Sequence, residues 1–182
     1  MHVIVLGAGL IGVTSAWYLR QAGHAVTVID RQPAAGLETS FANGGQISIS
    51  HPEPWANPGA PGQVLRWLGR EDAPLLFRPR LDWPQWSWGL RFLRECLPGR
   101  TRRNTVAIAR LALYSRACLR TLRGETGLEY DRLEKGILHL FFTPREFAQA
   151  GQRAALLHGF GMRAEVLDAR GCLAAEPALA HC

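Results

Sequence analysis

Lysine is almost missing from this chain. Lys135 stands alone, so the formal charge of +6 is carried by arginine. A bias of that kind follows genome composition as readily as function. No run of 18 apolar residues occurs, which excludes a membrane-spanning helix. The apolar stretch Val3–Ile11 lacks a basic leader and a cleavage site, so it reads as a core strand and not as a signal peptide. Cysteine is sparse and scattered (Cys96, Cys118, Cys172, Cys182), with no CxxC and no histidine at ligand spacing. That pattern excludes a structural metal site and points to idle thiols in a reducing compartment, hence a cytoplasmic protein. Repeats and low-complexity tracts are lacking, and no motif supports sequence-specific nucleic-acid binding. At 182 residues and 47% hydrophobic, the chain holds enough apolar material for one core or one and a half domains.

What is present is concentrated at the start. Val3-Ile4-Val5-Leu6 is a short apolar run, and Gly7-Ala8-Gly9-Leu10-Ile11-Gly12 follows at once. A helical pattern runs to about Ala22, Gly23 breaks it, and Ala25–Ile29 is a second apolar run closed by Asp30. Strand, glycine turn, helix, strand and acid form the fingerprint of a dinucleotide site. In that fingerprint Gly7 permits the tight turn, Gly9 lets a pyrophosphate approach the backbone, and Gly12 lets helix and strand pack closely. The helix N-terminus offers unpaired N–H groups to the phosphates, and Asp30 is placed to bond a ribose hydroxyl. The fingerprint alone does not separate FAD from NAD, since both present an ADP half.

From Arg31 to Ser50 small and polar residues dominate. This reads as a loop, with a strand only at Gln46–Ile49. It is either a plain surface loop or a loop beside the pyrophosphate, where Thr39 and Ser40 offer hydroxyls and Asn43, Gly44 and Gly45 bring main-chain amides near a ring. Residues 51–92 carry seven of the eleven prolines and five of the six tryptophans (Trp55, Trp67, Trp83, Trp86, Trp88). The tryptophans form a packed core or interdomain contact, or else a belt at a membrane interface. Val64–Leu68 reads as a short helix. Trp83–Leu97 reads as another, with Trp86, Leu90, Leu93 and Leu97 on one stripe.

Thr101 to about Arg123 is the clearest long helix, ended by Gly124 or Gly127, with Leu111, Cys118 and Leu122 as its apolar stripe. Arg100, Arg102, Arg103, Arg110, Arg116, Arg120 and Arg123 occur with no acid between Leu97 and Gly124. They form a solvated face or one attracted to an anionic surface. A hairpin is expected next, Leu128–Leu133 and Ile137–Phe142 around Glu134-Lys135-Gly136, with His139 a structural residue in its second strand. Thr143-Pro144-Arg145-Glu146 matches a capping box that opens a helix to about His158, stopped by Gly159. Arg163–Leu167 reads as a short strand, and Asp168 as the cap of one more helical turn before Glu176-Pro177.

The segments VIVLGAGLIGVTSAWYL, VTVIDRQP, ETSFANGGQIS, EPWANPGAP and KGILHLF together resemble the FAD-dependent small subunit of bacterial D-amino acid dehydrogenases. These belong to the D-amino acid oxidase and glycine oxidase group of flavoproteins. The resemblance implies a Rossmann-like α/β fold. The βαβ start would open the FAD-binding domain (residues 1–50), a Trp/Pro-rich segment would connect (51–100), and part of an α+β substrate domain would follow (101–182). It implies FAD as cofactor. Gly7, Gly9, Gly12 and Asp30 would hold the ADP half, Thr39 and Ser40 would lie at the pyrophosphate, and Asn43, Gly44, Gly45 and Gln46 would approach the flavin. Val3, Ala8, Leu10, Ile11 and Arg31 complete the implied cofactor-binding set.

The implied reaction is oxidative deamination of D-amino acids, D-alanine foremost, to 2-oxo acids and ammonia. Electrons would pass to a quinone-linked acceptor, with peripheral contact at the inner face of the membrane. Family members are considerably longer, and the resemblance assigns the substrate's carboxylate clamp to their later half. No catalytic acid, base or clamp is identified within these residues. No second βαβ crossover follows Asp30, so a truncated, N-terminal portion is expected. The alternatives are a flavin amine oxidase of the glycine or sarcosine type and an inert FAD-domain fragment.

Overall fold

The computed structural model describes residues 1–73 and 78–181. Cys182, one of the four expected thiols, lies outside them, and none of Cys96, Cys118 and Cys172 is in a disulfide among the described residues. The chain divides into two compact units, Met1–Gln46 and Ile47–Cys182.

The first unit is the expected βαβ. Strand β1 (His2–Leu6) and strand β2 (Ala25–Ile29) pair in parallel, with His2 opposite Ala25 and Leu6 opposite Ile29. Helix α1 (Leu10–Gln21) connects them and buries Ala16. It closes with Gly23 N–H donating to the Arg20 carbonyl (2.9 Å) and His24 N–H to the Leu19 carbonyl (3.1 Å), a two-bond end that satisfies carbonyls left over by the last turn. Strand alternation decides which face is covered. Val3 and Val5 are half-buried, while Ile4 and Leu6 point the other way and are 57% and 81% exposed. A parallel pair is normally covered on both faces, so one apolar face here lies open.

The second unit is helical among its described residues. It holds α2 (Ala60–Trp67), α3 (Trp83–Glu95), α4 (Pro98–Thr126), α5 (Pro144–Phe147), α6 (Ala150–Gly159), α7 (Ala169–Ala175) and a closing 3-10 turn (Pro177–His181). Helix α4 starts earlier than expected because Pro98 fits the first turn, where no N–H is needed. It runs through Gly124 and ends at Gly127. Its packed face overlaps the expected Leu111–Cys118–Leu122 stripe in part, since Cys118 and Leu122 are half-buried. Thr105 and Ala109 are buried, Leu113 is half-buried, and Leu111 faces out. Ala109, Leu157 and Met162 form the small core, flanked by Ile49, Leu113, Phe160 and Ala164. Likewise α3 exposes Trp86, Leu90 and Leu93 and turns Gln85, Gly89 and Phe92 inward, ahead of buried Cys96. Trp55, Trp83 and Trp88 are also exposed, so these tryptophans do not form a packed core.

Thr143 caps α5 as its sequence suggests, accepting from the Glu146 amide (3.3 Å) and donating its hydroxyl proton to the Glu146 carboxylate (2.8 Å). The single helix expected to follow is broken at Ala148–Gln149 into α5 and α6. The stop is also displaced, since Gly159 stays helical and Gly161 takes the left-handed conformation (φ +72°) that ends α6. Asp168 caps α7 as expected, accepting from Gly171 N–H at 2.7 Å.

The expected strands at Gln46–Ile49, Leu128–Leu133, Ile137–Phe142 and Arg163–Leu167 are absent, and these segments are irregular. A strand exists only where another backbone pairs with it. Among the described residues no backbone hydrogen bond joins Ile137–Phe142 or Arg163–Leu167 to another segment. Two members of the arginine series on α4 also find an acid in the second unit. Arg120 and Arg123 both reach Glu134 (3.5 and 2.7 Å), an acid supplied from beyond the helix, and the Arg123 side chain is only 11% exposed.

Candidate functional site

The first unit gathers most of the expected cofactor-binding residues around the glycine turn. Gly7 leaves β1 with φ +99°, a conformation that side chains other than hydrogen rarely tolerate, and its amide donates to the Ile29 carbonyl at 2.7 Å. Gly12 is fixed by contact: a Cβ there would sit 1.8 Å from the Gly7 carbonyl oxygen. Gly9 differs from both. Its φ of −74° suits any residue, and a Cβ would meet only the Ser40 hydroxyl, at 3.2 Å. The protein's own packing therefore does not explain why residue 9 lacks a side chain, whereas a ligand approaching the turn does.

The amides of the turn have defined states. Leu10 N–H donates to Ser40 Oγ at 2.9 Å. Among the described residues, Ile11 and Gly12 at the start of α1 have no acceptor, and no acid stands in the first turn. Unpaired N–H groups, a positive helix end and a bare Cα make this turn fit the diphosphate of a dinucleotide.

Asp30 is held at the same place. Its Oδ2 accepts from Ala8 N–H (2.5 Å) and its Oδ1 from Gln32 N–H (2.7 Å). The Ala8 bond first, then that of Gln32, lowers its pKa below the ordinary value of 3.8, so the carboxylate is charged at neutral pH. Each carboxylate oxygen keeps a free lone pair that can accept a ribose hydroxyl. Val3 lies lower on β1, opposite Val26. Buried Ala8 also accepts from Gly36 N–H (2.9 Å), which ties the loop after β2 back to the turn.

Other expected residues are not drawn in. Thr39 is exposed. Asn43, Gly44, Gly45 and Gln46 are exposed as well, and Asn43 bonds only locally, to the Ser40 carbonyl (3.1 Å) and from Gly45 N–H (2.7 Å). Arg31 pairs with Glu38, through Nε (2.5 Å) and Nη2 (2.6 Å). Glu38 is the residue that motif reading passes over. It immediately precedes Thr39-Ser40, and pairing an acid in that loop with Arg31 was the available signal.

The second unit contains a cavity of about 480 Å³, lined on its apolar side by Leu138, Leu140, Phe147, Leu157 and Val166. Ser50, His139 and Arg153 also line it. Arg153 binds Glu53 (3.0 Å) and donates to His51 Nδ1 (2.6 Å), and the His51 and His139 rings stack 6.2 Å apart. Partial burial first, then the charge of Arg153, holds His139 below the usual histidine pKa. No group of three or more metal-ligating side chains occurs among the described residues.

A parallel βαβ with a diphosphate-fitting turn and an acid at the end of its second strand is the arrangement of a dinucleotide-binding unit. The family described as FAD dependent oxidoreductase matches residues 2–182, and the chain belongs to that family. FAD is accordingly the cofactor of the family. The chain is 61% identical over 179 residues to a D-amino acid dehydrogenase of Dechloromonas aromatica, covering 98% of this chain and 43% of that protein. It is 56% identical to the D-amino acid dehydrogenase of Paramagnetospirillum magneticum, covering 98% of this chain and 43% of the relative. The corresponding protein of Methylobacterium radiotolerans is 52% identical, with 99% and 43% covered. The chain thus spans less than half the length of these relatives. No solved structure matches it.

Proposed function

We propose that this chain supplies the FAD-binding start and part of the substrate-binding body of a D-amino acid dehydrogenase. In this reading residues 1–50 open the FAD domain, 51–100 connect, and 101–182 contribute to an α+β substrate domain. The carrying observation is Gly9, where among the described residues a side chain would meet only the Ser40 hydroxyl, beside Ile11 and Gly12 amides that have no acceptor there. Gly7, Ala8, Gly9, Leu10, Ile11 and Gly12 would hold the diphosphate. Asp30 would hold the ribose, and Ser40 would hand over or share the Leu10 amide.

FAD, when bound, supplies an acceptor for the Cα hydrogen of a D-amino acid and its electron pair. The substrate leaves as an imine, which water converts to a 2-oxo acid and ammonia. The names of the relatives support a D-amino acid as substrate, with D-alanine the first to test. Docking at the inner membrane face is supported by exposed Trp55, Trp83 and Trp88 and by exposed Arg102, Arg103 and Arg110 on α4, and it would bring the chain to a quinone-linked acceptor. Among the described residues no helix is long and apolar enough to cross a membrane.

The test is a fusion of this chain to the part of the Dechloromonas aromatica protein outside the matched region. The fusion should purify with bound FAD and reduce a dye with D-alanine, and Gly9→Val should abolish the flavin. A fusion that folds without flavin refutes the cofactor site. Peroxide formed from glycine or sarcosine, with no response to D-alanine, replaces the dehydrogenase by an amine oxidase.

A further inference from the structure

Asp30 and Arg31 send opposite signals about the nucleotide that β2 serves. An acid at the end of the second strand bonds a free ribose 2′-hydroxyl, whereas an arginine beside it accommodates a 2′-phosphate. Both stand here in sequence, and the geometry chooses between them. Arg31 meets Glu38 as a fork on a fork, Nε to Oε1 at 2.5 Å and Nη2 to Oε2 at 2.6 Å. Gln32 Nε2 adds a third bond to Glu38, at 2.9 Å. Gln32 also bridges the two acids, because its own amide donates to Asp30 Oδ1 at 2.7 Å. One whole edge of the guanidinium is therefore engaged. The Arg31 bonds first, then that of Gln32, hold the Glu38 carboxyl at a pKa of about 2, so it is charged throughout the neutral range. Asp30, Arg31 and Glu38 then sum to one negative charge, and removing Glu38 would leave none.

We propose that Glu38 is a specificity-determining residue: by occupying Arg31 it makes the end of β2 accept an adenosine ribose with a free 2′-hydroxyl and reject one carrying a 2′-phosphate. The inference rests on the reading of this unit as a dinucleotide site. It goes further by naming the part of the nucleotide that is read and the residue that reads it. Glu38 acts through Arg31, and through the net charge that a 2′-phosphate would meet.

Glu38 also precedes Ser40 in the loop, and its carbonyl accepts from Phe41 N–H (2.9 Å), so its loss could merely loosen that loop. The measurement must separate the two roles, and a ratio of affinities does so. ADP and adenosine 2′-phosphate 5′-diphosphate differ only in the 2′-phosphate. Their dissociation constants are measured by calorimetry, at low ionic strength, on the 182-residue chain and its variants. The unaltered chain should prefer ADP. Glu38→Gln should shift the ratio about two- to fivefold toward the 2′-phosphorylated compound, the scale of one exposed, screened charge pair. Glu38→Asp should restore the original preference, and Arg31→Ala added to Glu38→Gln should cancel the shift.

If both nucleotides bind but Glu38→Gln leaves their ratio unchanged, or weakens both equally, Glu38 only seats the loop and the proposal is overturned while the dinucleotide reading stands. If the unaltered chain binds neither nucleotide, the dinucleotide reading falls and the proposal falls with it.

Discussion

Replacing Gly12 and Gly9 separately by alanine divides what the turn needs in order to fold from what it needs in order to bind. At Gly12 the new methyl would lie 1.8 Å from the Gly7 carbonyl oxygen and 2.9 Å from the Gly7 carbonyl carbon. Non-bonded heavy atoms rest at roughly 3.5 Å, so helix and turn must part by about 1.7 Å. The obstruction is backbone, and no side-chain rotation relieves it. Overpacking of this kind costs about 1–3 kcal/mol or more, and alanine's better helix propensity returns less than about 1 kcal/mol. A parting of that size also threatens the Gly7–Ile29 bond (2.7 Å), worth about 1 kcal/mol, and the Ala8–Asp30 bond (2.5 Å). The expected net loss is about 2–3 kcal/mol, or roughly 30- to 150-fold faster amide exchange in β1 and β2. Gly9→Ala meets only the Ser40 hydroxyl at 3.2 Å, which need give by only a few tenths of an ångström, at some cost to its Leu10 bond (2.9 Å). Its exchange should stay within about fivefold of the parent, a cost below about 1 kcal/mol, while ADP and FAD affinity falls at least about tenfold. Hydrogen exchange read by mass spectrometry and calorimetric titration measure the two effects. If Gly12→Ala exchanges no faster than Gly9→Ala, the close approach is not what fixes glycine at position 12. If Gly9→Ala binds FAD as the parent does, Gly9 is only a turn residue.

Two further outcomes follow from single side chains. The Asp30 carboxyl, lowered by the Ala8 and Gln32 amides, contributes stability that is fully present above its unfolded value near 3.8 and is lost as pH falls through the lower folded value. The Ala8 amide resonance should therefore titrate below pH 3.8 and lose that titration in Asp30→Asn, and a midpoint at or above 3.8 would refute the hydrogen-bonded geometry. Asp168→Ala removes the acceptor for the Gly171 amide (2.7 Å) and should cost about 1 kcal/mol at α7, seen as faster exchange in residues 169–175 and not in the first unit.

The parts of this fold that could be read from sequence are those whose physics is local. The order β1, α1, β2 follows from apolar runs and glycines within thirty residues, and the caps at Thr143 and Asp168 each need only four. Phase around a helix is less local. The spacing of large apolar residues on α3 pointed to Trp86, Leu90 and Leu93, yet Gln85, Gly89 and Phe92 turn inward, because the buried face is set by what lies opposite. Helix α4 shows the same with Leu111 exposed and Ala109 fully buried. At the candidate site the glycines and Asp30 were legible as a motif. Glu38 was passed over: opposite charges in one loop were the only signal, since no period ties it to Arg31 seven residues away.

The missing strands and the bare apolar faces have one physical cause. The chain exposes 14626 Å². Two separately folded bodies of 46 and 136 residues would together expose about 10,200 Å² by the usual scaling with mass, so roughly 4,400 Å² is in excess however the units are arranged. Part of the excess is specific: Ile4 and Leu6 on the open face of β1, and Leu138 and Leu140 in a segment patterned as a strand but lacking a backbone partner among the described residues. Strand propensity records a side chain's fit to a pleated, covered surface, and without that surface the same residues stay irregular. The relatives devote more than half of their length to sequence outside the matched region. Ile4 and Leu6 in the first unit, and Leu138 and Leu140 in the second, are residues whose pattern asks for a cover or a partner strand. The glycine turn closes correctly regardless, because everything it touches lies within the first forty residues.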